Sequence, residues 1–133
     1  MSYTISKQKG DVAEAKVLAE LLVRDYAVCL PFGDRLPYDL VVDLLNGKFC
    51  RIQVKSCFSP SSFAKAYKRR YYSKGIQTKE YSANDFDILV VWSALLDQYF
   101  VIPIKDFLER KAFNPNLAYA KDYRDRWDFI AAI

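Results

Sequence analysis

Apolar and polar positions divide this chain into segments of two periods. From Ser6 to about Asp25 the apolar residues recur at helical spacing, with Val17, Leu18, Leu21 and Leu22 on one face, so a first helix is expected there. Glu14 precedes Leu18 by four residues and Leu21 by seven, which puts it on the apolar side of that helix; Asp11 lies one turn earlier. A short strand is expected over residues 26–31 (YAVCLP), followed by a loop over 32–36. Residues 37–56 (PYDLVVDLLNGKFCRIQVKS) read as a hairpin. Their first half is rich in Val, Leu and Tyr, Asn46-Gly47 is a turn signal, and residues 49–54 alternate apolar and polar. The serine-rich turn at 59–62 is expected to open a basic helix over 63–72 (FAKAYKRRYY), and residues 74–84 to be irregular with a mobile tip near Gly75. Residues 87–92 (DILVVW) form a buried strand and 98–102 its neighbour, ended by Pro103, with a short helix over 104–110. The last segment, 123–133, is expected to be a terminal element. Helices and strands interleave around a hairpin, which favours a mixed α/β layer structure in a single domain spanning residues 1–133.

The polar residues of the hairpin are unusual for a solvent face. Asp39 begins the first strand, while Gln53 and Lys55, two apart, share one face of the second. A carboxylate, a neutral oxygen and a cation brought together can hold a hard metal ion or balance charge at a phosphate. Whether they meet depends on register. A two-residue Asn46-Gly47 loop pairs Leu45 with Lys48 and hence Asp39 with Val54, turning Asp39 away from Gln53 and Lys55. A three-residue loop or a β-bulge instead places Asp39 opposite Gln53 or Lys55. The catalytic reading therefore requires an irregularity in this hairpin.

Composition narrows the chemistry. There is no histidine among the 133 residues, which excludes Ser-His-Asp, Cys-His and His-metal sites. Cys29, Cys50 and Cys57 fit no metal spacing, and their odd number argues against a disulfide framework, so a reducing, cytoplasmic setting is expected. No apolar run is long enough for a membrane span, and the first residues lack the apolar core of a secretory signal. The net charge is +4, but residues 56–79 carry six basic side chains (Lys65, Lys68, Arg69, Arg70, Lys74, Lys79) and no acidic one. The excess belongs to one segment, as expected of an electrostatic footprint on nucleic acid, with Tyr67, Tyr71 and Tyr72 interleaved.

Pro37-Tyr38-Asp39, followed by Gln53-Val54-Lys55, resembles the PD-(D/E)XK nuclease motif. The preceding helix and the expected basic helix resemble the restriction-endonuclease-like αβββαβ core, a mixed central sheet flanked by helices, over roughly residues 7–103. Two departures stand out: Tyr38 is inserted between proline and aspartate, and Gln53 occupies the position of an acid. The helix-borne acid within GDVAE and the PYDLVVD and QVK strands are similar to the small group I intron-encoded homing endonucleases of this superfamily, a branch that uses glutamine in an active site. The resemblance implies Mg²⁺, with Mn²⁺ a substitute, held by Asp39, the Gln53 amide oxygen and the Val54 carbonyl with support from Glu14. It also implies that Lys55 contacts the phosphate or the nucleophile. Double-stranded DNA is the implied partner, met by Lys7, Lys9, Arg35, Ser56, Lys68, Arg69, Arg70, Lys74 and Lys79. The implied function is site-specific cleavage of the homing type. Alternatives are a structure-specific nuclease of the Holliday-junction resolvase type and an inactive DNA-binding module on a nuclease core. The branch assembles as tetramers, so a homodimer or homotetramer is expected, with Trp127, Phe129, Ile130 and Ile133 as a reasonable subunit contact.

Overall fold

The computed structural model describes residues 6–72 and 75–133. Helix α1, Ser6–Val23, buries Ala13, Val17 and Leu21 along one stripe at a spacing of four residues. Leu22, expected on the same face, is half exposed, because a 3.6-residue turn rotates it off the stripe. The helix ends in a Schellman motif: Asp25 adopts a left-handed φ of 68°. The Asp25 and Tyr26 N–H groups then donate back to the Leu22 and Leu21 carbonyls, each at 3.0 Å.

Strands β1 (Ala27–Cys29), β2 (Leu40–Asp43), β3 (Phe49–Cys57), β7 (Ile88–Ser93) and β8 (Gln98–Pro103) form one sheet in the order β1-β2-β3-β7-β8. The β3–β7 pair is parallel and the other pairs are antiparallel, giving a mixed sheet. Every residue of β7 is buried, as expected for a strand covered on both faces. Ile88, Val90 and Trp92 face one core with α1, while Leu89 and Val91 face the other with Phe107 of helix α2 (Ile104–Arg110). This is the expected mixed sheet between helical layers. An Arg51–Asp87 clasp fixes the start of the parallel pair. The Arg51 N–H donates to Asp87 Oδ2 at 2.8 Å, and the guanidinium reaches both carboxylate oxygens at 3.2 Å. The Asp87 N–H returns a bond to the Arg51 carbonyl at 2.9 Å.

The segment expected as a basic helix is extended. It forms β4 (Ala64–Lys65) and β5 (Tyr67–Tyr72), and the residues from Gly75 to Glu80, expected to be irregular, are strand β6 (Gly75–Glu80). In β4 the alternation is visible: Ala64 and Ala66 are buried while Lys65 and Tyr67 are only partly covered, a period of two. A distant segment completes the assignment, since β4 pairs with β9, Ala112–Phe113. Strands β5 and β6 make a separate antiparallel ribbon in which Lys68 lies opposite Lys79 and Tyr72 opposite Gly75. Lys74, at the expected tip, lies outside the described residues.

The C-terminal segment turns inward. After a 3-10 helix at Ala118–Tyr123, the short helix α3 (Asp128–Ala131) places Ile130 in the α1-side core together with Trp127. Trp127 is 4% exposed, packs against Tyr99 with the rings tilted by 55° at 5.7 Å, and accepts a hydrogen bond from the Tyr26 hydroxyl at its carbonyl. Phe129 packs against the same core. Trp127 and Ile130, two of the four side chains expected at a subunit contact, therefore complete the chain's own interior, whereas Phe129 is partly covered and Ile133 is exposed, as are Leu30 and Phe32 elsewhere. The three cysteines are free thiols. Among the described residues no helix is long and apolar enough to cross a membrane.

Candidate active site

The hairpin loop contains three residues, not two. Leu44 donates to the Lys48 carbonyl at 3.0 Å, leaving Leu45, Asn46 and Gly47 outside the ladder. Two side chains select this loop: the Leu45 N–H donates to Asp43 Oδ1 at 2.9 Å and the Lys48 N–H to Asn46 Oδ1 at 3.0 Å. Leu45 and Gly47 take left-handed φ values of 59° and 87°, and at Gly47 glycine removes the steric cost. The ladder then runs Asp43↔Phe49 to Leu40↔Ile52, a register whose next step would set Asp39 on the same face as Gln53. This is the irregularity that the catalytic reading required.

Regular pairing of β2 with β3 stops at Leu40↔Ile52, whereas β3 continues to Cys57. Asp39 bridges the point of separation. Its N–H donates to the Ile52 carbonyl at 2.8 Å, and its Oδ2 accepts the Val54 N–H at 2.9 Å. The carboxylate thus substitutes for a strand residue and is oriented by the backbone it caps. Because the N–H and C=O of one strand residue point to the same edge, the Val54 carbonyl is directed to the side on which Asp39 sits.

A cleft of about 610 Å³ opens here, lined by Lys7, Asp11, Glu14, Tyr38, Asp39 and Gln53 among others. Glu14, Asp39 and Gln53, chosen from the sequence, therefore meet in one place. Burial, followed by the charges of Asp39 and Asp11, raises the Glu14 carboxyl above its ordinary value, with Lys7 opposing. Lys7 holds Asp11 at 2.6 Å across one helical turn. Among the described residues no three His, Cys, Asp or Glu side chains form a metal cluster by themselves. The donors that line the cleft, the Asp39 and Glu14 carboxylates and the Gln53 amide, are all oxygen, and the negative potential that presses on Glu14 is of the sign a cation relieves. Such a set fits a hard divalent ion rather than zinc or copper.

Lys55 and Val54 line an adjoining hollow together with Ser56. The Lys55 ammonium lies 5.4 Å from the centroid of the Tyr81 ring. Tyr81 was not selected from the sequence, where nothing distinguishes it from the other tyrosines. It is buried, packs edge-on against Phe86 at 5.1 Å, and its phenol is pushed up to about 12 by burial and then by the Asp39 charge. Arg51 and Asp87 were also missed, and they hold the strand that carries Gln53 and Lys55.

Of the residues expected at DNA, Lys9 stands 5.2 Å from the Phe58 ring and Arg35 lies exposed in the loop beside the first cleft. Lys79 is exposed on β6, and the backbone of Lys68, Arg69 and Arg70 belongs to β5. The structure therefore places these basic residues on a ribbon separate from the central sheet.

Comparison with known proteins agrees with this geometry. Across 97% of this chain and 95% of its own, a bacterial homing endonuclease, I-Ssp6803I, superposes with a TM-score of 0.83 at 27% identity. No curated protein matches the sequence. Residues 4–126 match the family described as PD-(D/E)XK endonuclease, and the chain belongs to that family.

Proposed function

We propose that this protein is a Mg²⁺-dependent, site-specific endonuclease of double-stranded DNA, of the homing type. The observation that carries this reading is the convergence of Asp39, Gln53 and Glu14 in one cleft, produced by the three-residue hairpin loop, with Lys55 two residues further along β3. The similarity to a homing endonuclease over nearly the whole chain supports it.

Asp39, the Gln53 amide oxygen and the Val54 carbonyl would hold the ion, and Glu14 would add the negative charge that glutamine in place of an acid omits. When bound, the ion polarises the scissile phosphate and lowers the pKa of water, the two requirements of phosphodiester hydrolysis. Gln53 and Asp39 orient the site through a rigid strand edge. The Lys55 ammonium, packed against the Tyr81 ring, sits where it neutralises charge that develops on the phosphate or contacts the attacking oxygen. Lys7, Lys9, Arg35 and Ser56 border the two hollows or their approaches and contact backbone phosphates. The β5–β6 ribbon, with Lys68, Arg69, Arg70 and Lys79, extends the contact together with Lys74, and a two-stranded ribbon has the width to enter a major groove.

One chain carries one such site and meets one strand at a time, so cutting both strands calls for at least a homodimer. The direct test is incubation with plasmid: Mg²⁺ or Mn²⁺ yields nicked and linear products, and a chelator yields neither. No cutting with either ion, despite tight duplex binding, would mark an inactive DNA-binding module. Preference for a four-way junction over linear duplex would favour the resolvase alternative.

The ribbon makes a second, quantitative prediction. Neutralising any one of Lys68, Arg69, Arg70 or Lys74 should weaken binding to all sequences alike and reduce the slope of log affinity against log salt by about 1. An unchanged slope in all four variants would identify the ribbon as a solvated surface.

A further inference from the structure

The second hollow, about 370 Å³, lies between the first turns of α1 and the end of β3. Its polar character is opposite to that of the first cleft. Lys55, Ser56 and Lys65 line it and no acidic side chain does, whereas Asp11, Glu14 and Asp39 line its neighbour. The two share β3: Gln53 lines the first, and Val54, Lys55 and Ser56 line the second. Two residues advance about 7 Å along a strand, the scale of a nucleotide step rather than of a separate molecule. The Lys65 ammonium is steadied between two rings, 5.6 Å from the Phe63 centroid and 5.5 Å from that of Tyr67.

Gly10 forms part of the same wall. It is the fifth residue of an 18-residue helix, an interior position at which glycine is less stable than alanine. Among the described residues the fold gives no reason for it. Its φ is not left-handed, and a Cβ built on it meets no atom within 4 Å. Among the described residues nothing occupies the place a side chain would take.

We infer that this hollow seats a DNA phosphate next to the one that is cut, with Lys65 and Ser56 as its contacts and Gly10 as the bare stretch of helix against which the sugar-phosphate backbone lies. The inference rests on the nuclease reading above and adds to it a subsite, a defined place for Lys65 in it and a reason for the glycine. A bound backbone needs close approach to α1, and any side chain at position 10 projects into that space.

Three variants test it, with a labelled duplex of mixed sequence and Ca²⁺ in place of Mg²⁺ so that binding is read without cutting. Gly10→Ala should raise the Tm of the free protein by about 2–4 °C while weakening duplex binding. Gly10→Leu should weaken it further, by about tenfold or more. Lys65→Gln should keep the Tm and lower the salt slope by about 1. The inference is overturned if Gly10→Leu binds as tightly as the wild type, if Gly10→Ala lowers the Tm, or if Lys65→Gln leaves the slope unchanged. Plasmid cutting by the wild type separates the two levels: cutting with unaffected variants removes the subsite alone, and a wild type that neither binds nor cuts removes the nuclease reading with it.

Discussion

Asp39→Ala is expected to reduce DNA cleavage by about 10³-fold or more while leaving the fold and duplex binding in place. The side chain has two duties, and a second substitution separates them. Its Oδ2 accepts the Val54 N–H at 2.9 Å, a structural task that Asp39→Asn retains through its amide oxygen. The negative charge toward the cleft is lost in both variants. If the charge is what matters, Asn and Ala should be equally inactive; if the hydrogen bond is what matters, Asn should recover most of the rate. Retention of the fold is expected because β3 stays paired with β7 from Ile52↔Ile88 to Cys57↔Ser93 on its other edge. Lys55→Ala should lose about 10²–10³-fold by removing the cation that faces the phosphate. Single-turnover cleavage of a saturated duplex measures all three, and wild-type rates for Asp39→Ala and Lys55→Ala would show that the site has been misassigned. Gln53→Glu completes the series. With Glu14 already supplying charge, the extra carboxylate should lower activity, and a large gain would instead mark Gln53 as a decayed acid.

The largest stability effect is expected at Phe113. This ring is fully buried and forms the hub of an aromatic cluster, with centroids 5.6 Å from Phe100, 5.5 Å from Tyr119 and 5.7 Å from Tyr123. Phe113→Ala removes both the transfer free energy of the ring and the contacts of its neighbours. The loss should be about 3–5 kcal/mol, read as a lower denaturant midpoint at unchanged m. The backbone at Phe113 also pairs with Ala64, so the same variant loosens the base of the β5–β6 ribbon. A loss below about 1 kcal/mol would mean that the pocket collapses around the gap.

Several features were legible because neighbours along the chain encode them. The helical spacing of Ala13, Val17 and Leu21 puts Glu14 at the border of the same face, and that is where the cleft opens. Alternation in β3 sets Gln53 and Lys55 on one side, and the apolar run of residues 88–92 marks a strand covered on both faces. The absence of histidine, with three cysteines that fit no metal spacing, restricts the donor set to oxygen. The order of these elements, together with the spacing of Asp39, Gln53 and Lys55, was enough to identify the family.

Other features were decided only in three dimensions. Asn46-Gly47 is a two-residue hairpin signal, yet the Asp43 and Asn46 side chains bond to the backbone so as to favour a loop of three, and that single residue turns Asp39 toward Gln53. Lysine, arginine and alanine favour a helix over residues 63–72, but the pairing of Ala64 with Phe113 draws the segment into strands. Trp127 and Ile130 read as a sticky end until α1 and β8 are in place to bury them. Tyr81 becomes distinctive only once folding sets it against Lys55. Local period and composition therefore determined which elements form and which chemistry is available. Which residues face one another depended on contacts between distant segments, whose energies come from burial and pairing that no short stretch of sequence contains.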